Sequence, residues 1–492
     1  MDAEVEVSCG RLKGVHQAGV FQFAGVPYAE DPVKTLRFRP PVPKTPWPGV
    51  LDVTQPARIA PQRTSRLAAV MGDCTGAQDE GCLTLTISTP GLDAKKRPVI
   101  VWLHGGGFSS GAGGLDWYDG RGLAKLGDVV VAGVNYRLGA LGFLVAEGVS
   151  EGNLGLLDQA MALAYVRENI AEFGGDPNNI TLMGQSAGGN SIAALFAGRH
   201  DVSGVRRIIL QSPALGMPPQ NTQQALSLGH AFLSALGLPP NGKNLRAQLQ
   251  ALPLTQILEA QAQVALGGGR YGDTAPPFQL SQGSEPALQE DFHLAAAEAL
   301  KGVDVLIGVT GDEAHAFLMQ APHTQIISAE EVSECVGSVY GASAVERLEQ
   351  IKAAYPNEYP GLHFSRLITD EVFGRPAREF ACRAHQCGNK TYFYIFDWQP
   401  KGSPFKSCHC LELPFVFGPT EAWTHAPMLS AANPELLTRL SQTIQASWLA
   451  FVRSGNPTTD SLPRWERFTK RTPFVMHLSE TPHARTEPAC FP

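Results

Sequence analysis

The sequence predicts an α/β fold built on a mostly parallel sheet with helices on both faces. Two observations carry this reading. Short, largely apolar runs occupy 98–103, 128–134, 180–183, 205–210 and 303–309. Runs without polar alternation suit strands covered on both faces. Between them lie helical patterns, notably 158–173 and Ala187–Ala197, and strand–helix alternation implies parallel pairing. At the N-terminus, residues 1–7 alternate polar and apolar like a first strand. From 218 to 298 the character changes. An Ala-, Leu- and Gln-rich stretch with helical spacing gives way to Gly and Pro between 267 and 278. This reads as a pocket-forming insertion over the sheet, leaving 1–492 a single domain.

Composition narrows the function. Of 492 residues, 43% are hydrophobic and 17% charged, a globular balance. The net charge of −7 disfavours a phosphate-binding surface, so no nucleic-acid partner is expected. No run reaches the roughly 18 apolar residues of a membrane span. The start lacks a basic segment and an apolar core, so a cytoplasmic location is expected. Nine cysteines is an odd number, which argues against a fully paired framework. Cys74 with Cys82, and Cys382 with Cys387, are close enough in sequence to pair. Cys382, Cys387, Cys408 and Cys410 lack the C-x-x-C pairs of structural zinc sites, so no metal and no cofactor is expected.

Gly184-Gln185-Ser186-Ala187-Gly188 matches G-x-S-x-G between a strand and a helix, the setting in which a serine nucleophile stands at the tip of a sharp turn. His104-Gly105-Gly106-Gly107-Phe108 follows the strand ending at Leu103. Bare backbone N–H groups there, from Gly106 and Gly107, can donate to the anionic oxygen of a tetrahedral intermediate, about 3 kcal/mol per donor. Ala187, directly after the nucleophile, supplies a third. A phosphate cradle would need a following Lys-Ser/Thr or G-x-G-x-x-G, and neither is present.

With these motifs, the sequence resembles the type B carboxylesterase family, which includes the cholinesterases. Further matching segments are Phe23-Ala24-Gly25-Val26-Pro27-Tyr28-Ala29, Leu36-Arg37-Phe38, Asn135-Tyr136-Arg137-Leu138-Gly139, Gly152-Asn153-Leu154-Gly155-Leu156-Leu157-Asp158-Gln159 and Asn169-Ile170-Ala171-Glu172-Phe173-Gly174-Gly175-Asp176-Pro177. The likeness runs from about Gly14 to Arg471. It implies the α/β-hydrolase fold and a Ser-Glu-His triad. The family's acid lies in a G-x-x-x-D-E pattern, here Gly308-Val309-Thr310-Gly311-Asp312-Glu313, which assigns Glu313; Asp312 beside it is the alternative. The family's histidine precedes F-V-F-G, which assigns His409 in Cys408-His409-Cys410-Leu411-Glu412-Leu413-Pro414-Phe415-Val416-Phe417-Gly418. A serine hydroxyl needs such a base, and the base needs a carboxylate to fix its tautomer.

This chain departs from the family pattern in three places. Gln185 stands where the family has Glu. Glu80-Gly81-Cys82-Leu83-Thr84-Leu85-Thr86 replaces E-D-C-L-x-L-N. Cys410 follows the histidine in place of Gly. Thiols on both sides of His409 suit packing; if Cys410 lined the gorge, bulky thiol reagents would block activity. Gln185, Gln211-Ser212-Pro213-Ala214-Leu215-Gly216-Met217 and the segment around His409 look most like bacterial phenylcarbamate hydrolases. The expected partner is a small-molecule ester or carbamate, and the expected state a monomer or small homo-oligomer. Two other readings compete. A catalytically dead adhesion protein is opposed by the intact Ser186, Glu313 and His409, and a lipase would need a lid, which the 218–298 segment could hide.

Overall fold

The computed structural model describes residues 2–268, 272, 274–283, 287–319 and 321–487. Its strands are β1 (Asp2–Val7), β2 (Gly10–Gln17), β3 (Val20–Pro27), β4 (Val50–Asp52), β5 (Thr84–Thr89), β6 (Arg97–Leu103), β7 (Val130–Val134), β8 (Val145–Ala146), β9 (Ser150–Glu151), β10 (Gly175–Gln185), β11 (Val205–Gln211), β12 (Asp304–Thr310), β13 (Thr391–Phe396), β14 (Phe474–Leu478) and β15 (His483–Thr486). Strands β8 and β9 form a separate ribbon. The others make one sheet in the order β1-β2-β3-β5-β7-β6-β10-β11-β12-β13-β14-β15, with β4 on β2. Pairing is parallel from β7 through β14 and antiparallel at both margins, except that β4 runs parallel to β2.

The largely apolar runs follow from burial on both faces. In β6, Val99, Val101 and Leu103 enter one core layer, and Ile100 and Trp102 enter the other. Strand β12 divides likewise, with Val305, Ile307 and Val309 opposite Leu306. A strand with water on one face would alternate, and these have none. The first layer is closed by helices Leu154–Asn169, Ala187–Ala197, Phe292–Ala299 and Arg375–Gln386. The second is closed by Arg121–Gly127, Leu413–Phe417 and Pro434–Ser454. The last of these starts where Asn433 Oδ1 accepts the Glu435 and Leu436 N–H groups, with Pro434 in the first turn, an N-cap pattern that satisfies otherwise orphaned donors.

Strand order reverses between β6 and β10: β7 lies beyond β6, and β11 beyond β10. Loops leaving the carboxyl ends of such neighbours diverge and leave a crevice. Leu103 is in register with Gly184, so the glycine loop and the serine turn emerge side by side. The family-specific polar residues hold this region together. Arg137 and Asp158, both buried, pair at 2.6 Å and 2.8 Å, and Arg37 meets Glu80 at 2.6 Å and 2.7 Å. Among the described residues, no helix is long and apolar enough to cross a membrane.

Candidate active site

Ser186 sits between β10 and helix Ala187–Ala197 with φ 54° and ψ −122°. A non-glycine residue with positive φ is strained, and such strain gathers where chemistry needs it. The turn survives because glycines stand two residues to either side, where a Cβ on Gly184 would lie 2.6 Å from the Gly188 carbonyl carbon. A Cβ on Gly188 would stand 1.9 Å from Leu103 O. The Ser186 N–H is fixed by Gln211 O at 2.9 Å, and the serine opens into a cavity of about 540 Å³. Gly106 and Gly107 form part of its wall, as do Met217, Leu228, Phe317 and Phe373. Segment 218–298 contributes lining residues from Gln220 to Gln279, whereas helix Phe292–Ala299 packs against helix Ala187–Ala197.

The loop after β6 carries free donors. Gly106 and Gly107 have positive φ. Their N–H groups, and that of Ala187 at the start of its helix, donate to no protein acceptor among the described residues. The helix end adds a positive dipole at the same point. His104 braces the loop from behind: its ring stacks on Tyr136 at 4.4 Å, and its Nδ1 donates to Gly105 O at 2.7 Å. Tyr136 OH donates to His104 O at 2.8 Å. Burial lowers His104 to about 4, so it is a neutral scaffold. The HGGGF motif places His104 here, but Tyr136 carried no sequence signal for this role.

The loop after β12 delivers Glu313, and the long connection after β13 delivers His409. Glu313 Oε2 lies 2.5 Å from His409 Nδ1, and Oε1 accepts the Thr310 N–H at 2.7 Å. Both side chains are fully buried. Asp312 turns away to Lys406, 3.7 Å distant. With Nδ1–H given to a carboxylate, Nε2 of the neutral ring is the acceptor. Its partner is Gln185 Nε2, at 3.1 Å; no hydrogen bond joins it to Ser186 Oγ. Catalytic hydrogen bonds are often unformed before substrate arrives. Phe317 and Phe373 close over the imidazole at 5.3 Å and 5.0 Å. Phe373 belongs to a π-helical turn, Thr369–Gly374, a form of helix interruption frequent at functional sites.

Glu412, one turn past His409, is also buried. Burial raises it from its ordinary 4.5 to about 7, and the nearby Glu313 charge adds to this. Its Oε1 takes only a 3.3 Å bond from Gln211 Nε2, and Oε2 has no partner among the described residues.

Cys408 and Cys410 are both buried, and burial pushes both thiols far up. Cys410 does not line the large cavity. It borders a separate small pocket behind the glycine loop, which removes the condition for attack by bulky reagents. Its φ of 76° is costly for any residue with a Cβ, roughly 1–2 kcal/mol. Cys74, Cys82 and Cys387 are free thiols, so neither Cys74–Cys82 nor Cys382–Cys387 is bridged. Among the described residues, no cluster of three or more His, Cys, Asp or Glu could hold a metal ion.

Comparison with known proteins agrees with this architecture. The chain is 36% identical over 480 residues to a para-nitrobenzyl esterase of Bacillus subtilis, covering 95% of this chain and 93% of that protein. It is 33% identical over 486 residues to a phenmedipham hydrolase of Pseudarthrobacter oxydans, covering 96% and 94%. A solved thermophilic PNB esterase superposes with a TM-score of 0.88 at 33% identity, covering 99% of this chain and 98% of that one. The model of the carboxylesterase family matches residues 1–490. The chain belongs to the carboxylesterase family, with the α/β-hydrolase fold, and is a carboxylic ester hydrolase.

Proposed function

We propose that ester cleavage runs through an acyl-enzyme on Ser186, with His409 as general base and Glu313 as the group that orients it. One observation carries the assignment: the buried Glu313–His409 pair stands beside a strained serine that opens into the cavity. Ser186 Oγ attacks the carbonyl carbon while His409 Nε2 takes its proton. The carbonyl oxygen becomes an oxyanion held by the Gly106, Gly107 and Ala187 N–H groups. The imidazolium then protonates the leaving oxygen, and water repeats the sequence to release the acid. Residues 1–492 form one catalytic unit in this reading, and the segment within 218–298 shapes the pocket. The free thiols of Cys9, Cys74, Cys82, Cys335, Cys387, Cys408 and Cys410 suit a reducing, cytoplasmic setting. An organophosphate that phosphorylates active serines should label Ser186 stoichiometrically and abolish phenyl acetate hydrolysis. Labelling elsewhere, with activity retained, would overturn the assignment.

Aryl carbamates are the second proposed substrate class. The support is the relation to a phenmedipham hydrolase, a phenylcarbamate-cleaving protein. A carbamate carbonyl is less electrophilic than an ester's because nitrogen donates into it, so its cleavage leans harder on the three donors. Methyl N-phenylcarbamate should give many turnovers per active site. Release of one equivalent followed by inactivation would restrict the enzyme to esters.

A further inference from the structure

The two departures from the family pattern nearest the base touch each other. Gln185 Nε2 lies 3.3 Å from Cys410 Sγ as well as 3.1 Å from His409 Nε2. Its amide oxygen is wedged against the glycine loop, 2.4 Å from where a Gly105 Cβ would stand. The side chain is therefore clamped on three sides, and it is buried. Cys410 accepts a left-handed backbone, natural for the family's glycine, in order to place its sulfur there.

We propose that Gln185 is a positioning residue that holds the neutral imidazole of His409 with Nε2 ready to accept, and that Cys410 is the buttress that aims the Gln185 amide. This rests on the assignment of His409 as base. The amide has two N–H groups: one goes to the ring nitrogen and the other to sulfur, a weak acceptor. When substrate binds, the Ser186 hydroxyl takes the place of the amide as donor to Nε2. Once the Ser186 proton has moved to Nε2, that nitrogen is a donor facing another donor. The N–H finds no acceptor at the amide nitrogen, so the proton goes to the leaving-group oxygen.

A glutamate at 185 would reverse this logic. An ionised carboxylate only accepts, so it would favour the imidazolium before substrate arrives. It would also stand as a third buried acid in the company of Glu313 and Glu412. The titratable surroundings of His409 are otherwise set by few groups. Glu313 and the Asp312–Lys406 pair come from the loop after β12 and its partner segment, with His315 behind them. Cys408, Cys410 and Glu412 come from its own segment. Tyr118 and Tyr394 approach that cluster from neighbouring elements, and His104 lies under the glycine loop. The serine turn contributes the uncharged Gln185.

The test uses the full-length chain and its Gln185→Glu, Gln185→Met, Cys410→Gly and Gln185→Met/Cys410→Gly variants. Phenyl acetate kcat is followed against pH, with active sites counted by organophosphate titration. In Gln185→Glu the acid limb should move up by roughly one pH unit or more. Gln185→Met should lose about tenfold in kcat with unchanged melting temperature. Cys410→Gly should lose part of that, and the double variant no more than Gln185→Met alone, because the two side chains act as one unit. A Gln185→Glu profile that superimposes on the parent, or losses at 185 and 410 that multiply independently, would overturn the proposal. Phenyl acetate turnover that survives Ser186→Ala would instead overturn the active-site assignment beneath it.

Discussion

The floor and the roof of the cavity are built on different principles. The floor consists of turns leaving the carboxyl ends of β6, β10 and β12 and the connection after β13. There, every functional group is fixed by backbone geometry or by a buried hydrogen bond: Ser186 by its left-handed φ, Glu313 by the Thr310 N–H, the glycine loop by His104 and Tyr136. The roof, from Met217 to Gln279, is made of helix flanks and proline-bearing loop. It is tied down at points such as Ala140 N–H to Gln261 Oε1 at 2.9 Å and Arg66 Nη2 to Thr274 O at 2.9 Å. Its Leu266 is 87% exposed at the cavity rim. The floor presents its groups in one fixed geometry, whereas the roof presents a mixed wall, with Met217, Leu228, Val264 and Leu266 beside Gln220, Gln261 and Gln279.

That contrast can be broken or sharpened by substitution. The largest effect belongs to the floor. On the proposed assignment, Ser186→Ala and His409→Ala should each lower kcat by about 10⁴–10⁶, and the double variant should be little worse, because the two side chains would act as one unit. Steady-state rates on folded protein check this, and full multiplication of the two losses would show that they do not form one unit.

The next effect is on stability. Glu412 is raised in the folded chain, so the unfolded chain releases its proton first. The stability present below pH 4.5 is therefore lost progressively as pH climbs to about 7. Glu412→Gln avoids this loss and should gain, relative to the parent, on the order of 3 kcal/mol at pH 8. The gain should shrink towards pH 4.5, and denaturant melts at the two pH values would show it. A difference that does not change with pH would mean that Glu412 stays charged throughout.

On the roof, Leu228→Ala should raise KM for long-chain p-nitrophenyl esters several-fold while leaving kcat near the parent value, since it touches bound substrate but not the reacting atoms. A loss confined to kcat would erase the distinction drawn between the two regions. The smallest effect is expected from chemistry at sulfur. A bulky maleimide should label the exposed Cys387 and leave activity intact, because Cys408 and Cys410 are buried with thiols held protonated. Inactivation that tracks labelling of Cys410 would place that thiol within reach of solvent.

Much of the floor was legible in the sequence, because steric demands there dictate residue identity. Gly188 cannot be anything larger beneath Leu103 O, and the central stretches of β6, β11 and β12, 99–103, 208–210 and 305–309, had to be apolar because both faces are covered. Strand β10 extends well before the apolar run at 180–183, because Asp176, Asn178 and Asn179 sit at its partly exposed start. Helix Leu154–Asn169 likewise begins ahead of the pattern at 158. What stayed hidden depends on side chains that meet across long separations. The amide of Gln185 reaches a ring 224 residues away, and no local pattern announces that contact. Nor does anything local reveal that Thr369–Gly374 winds as a π-turn that brings Phe373 over His409. Cys410 was visible as a departure, and the packing expected of both thiols beside His409 agrees with their burial.

The separation of 224 residues between Gln185 and His409 has a consequence during synthesis. A ribosome adding about 5–20 residues per second needs roughly 10–45 s to pass from one to the other. Throughout that interval the nascent chain carries Ser186, Gly106, Gly107 and Ala187 but not His409. On the proposed assignment, any product that terminates before His409 is inert towards esters, so premature termination yields a silent fragment and never an unregulated hydrolase.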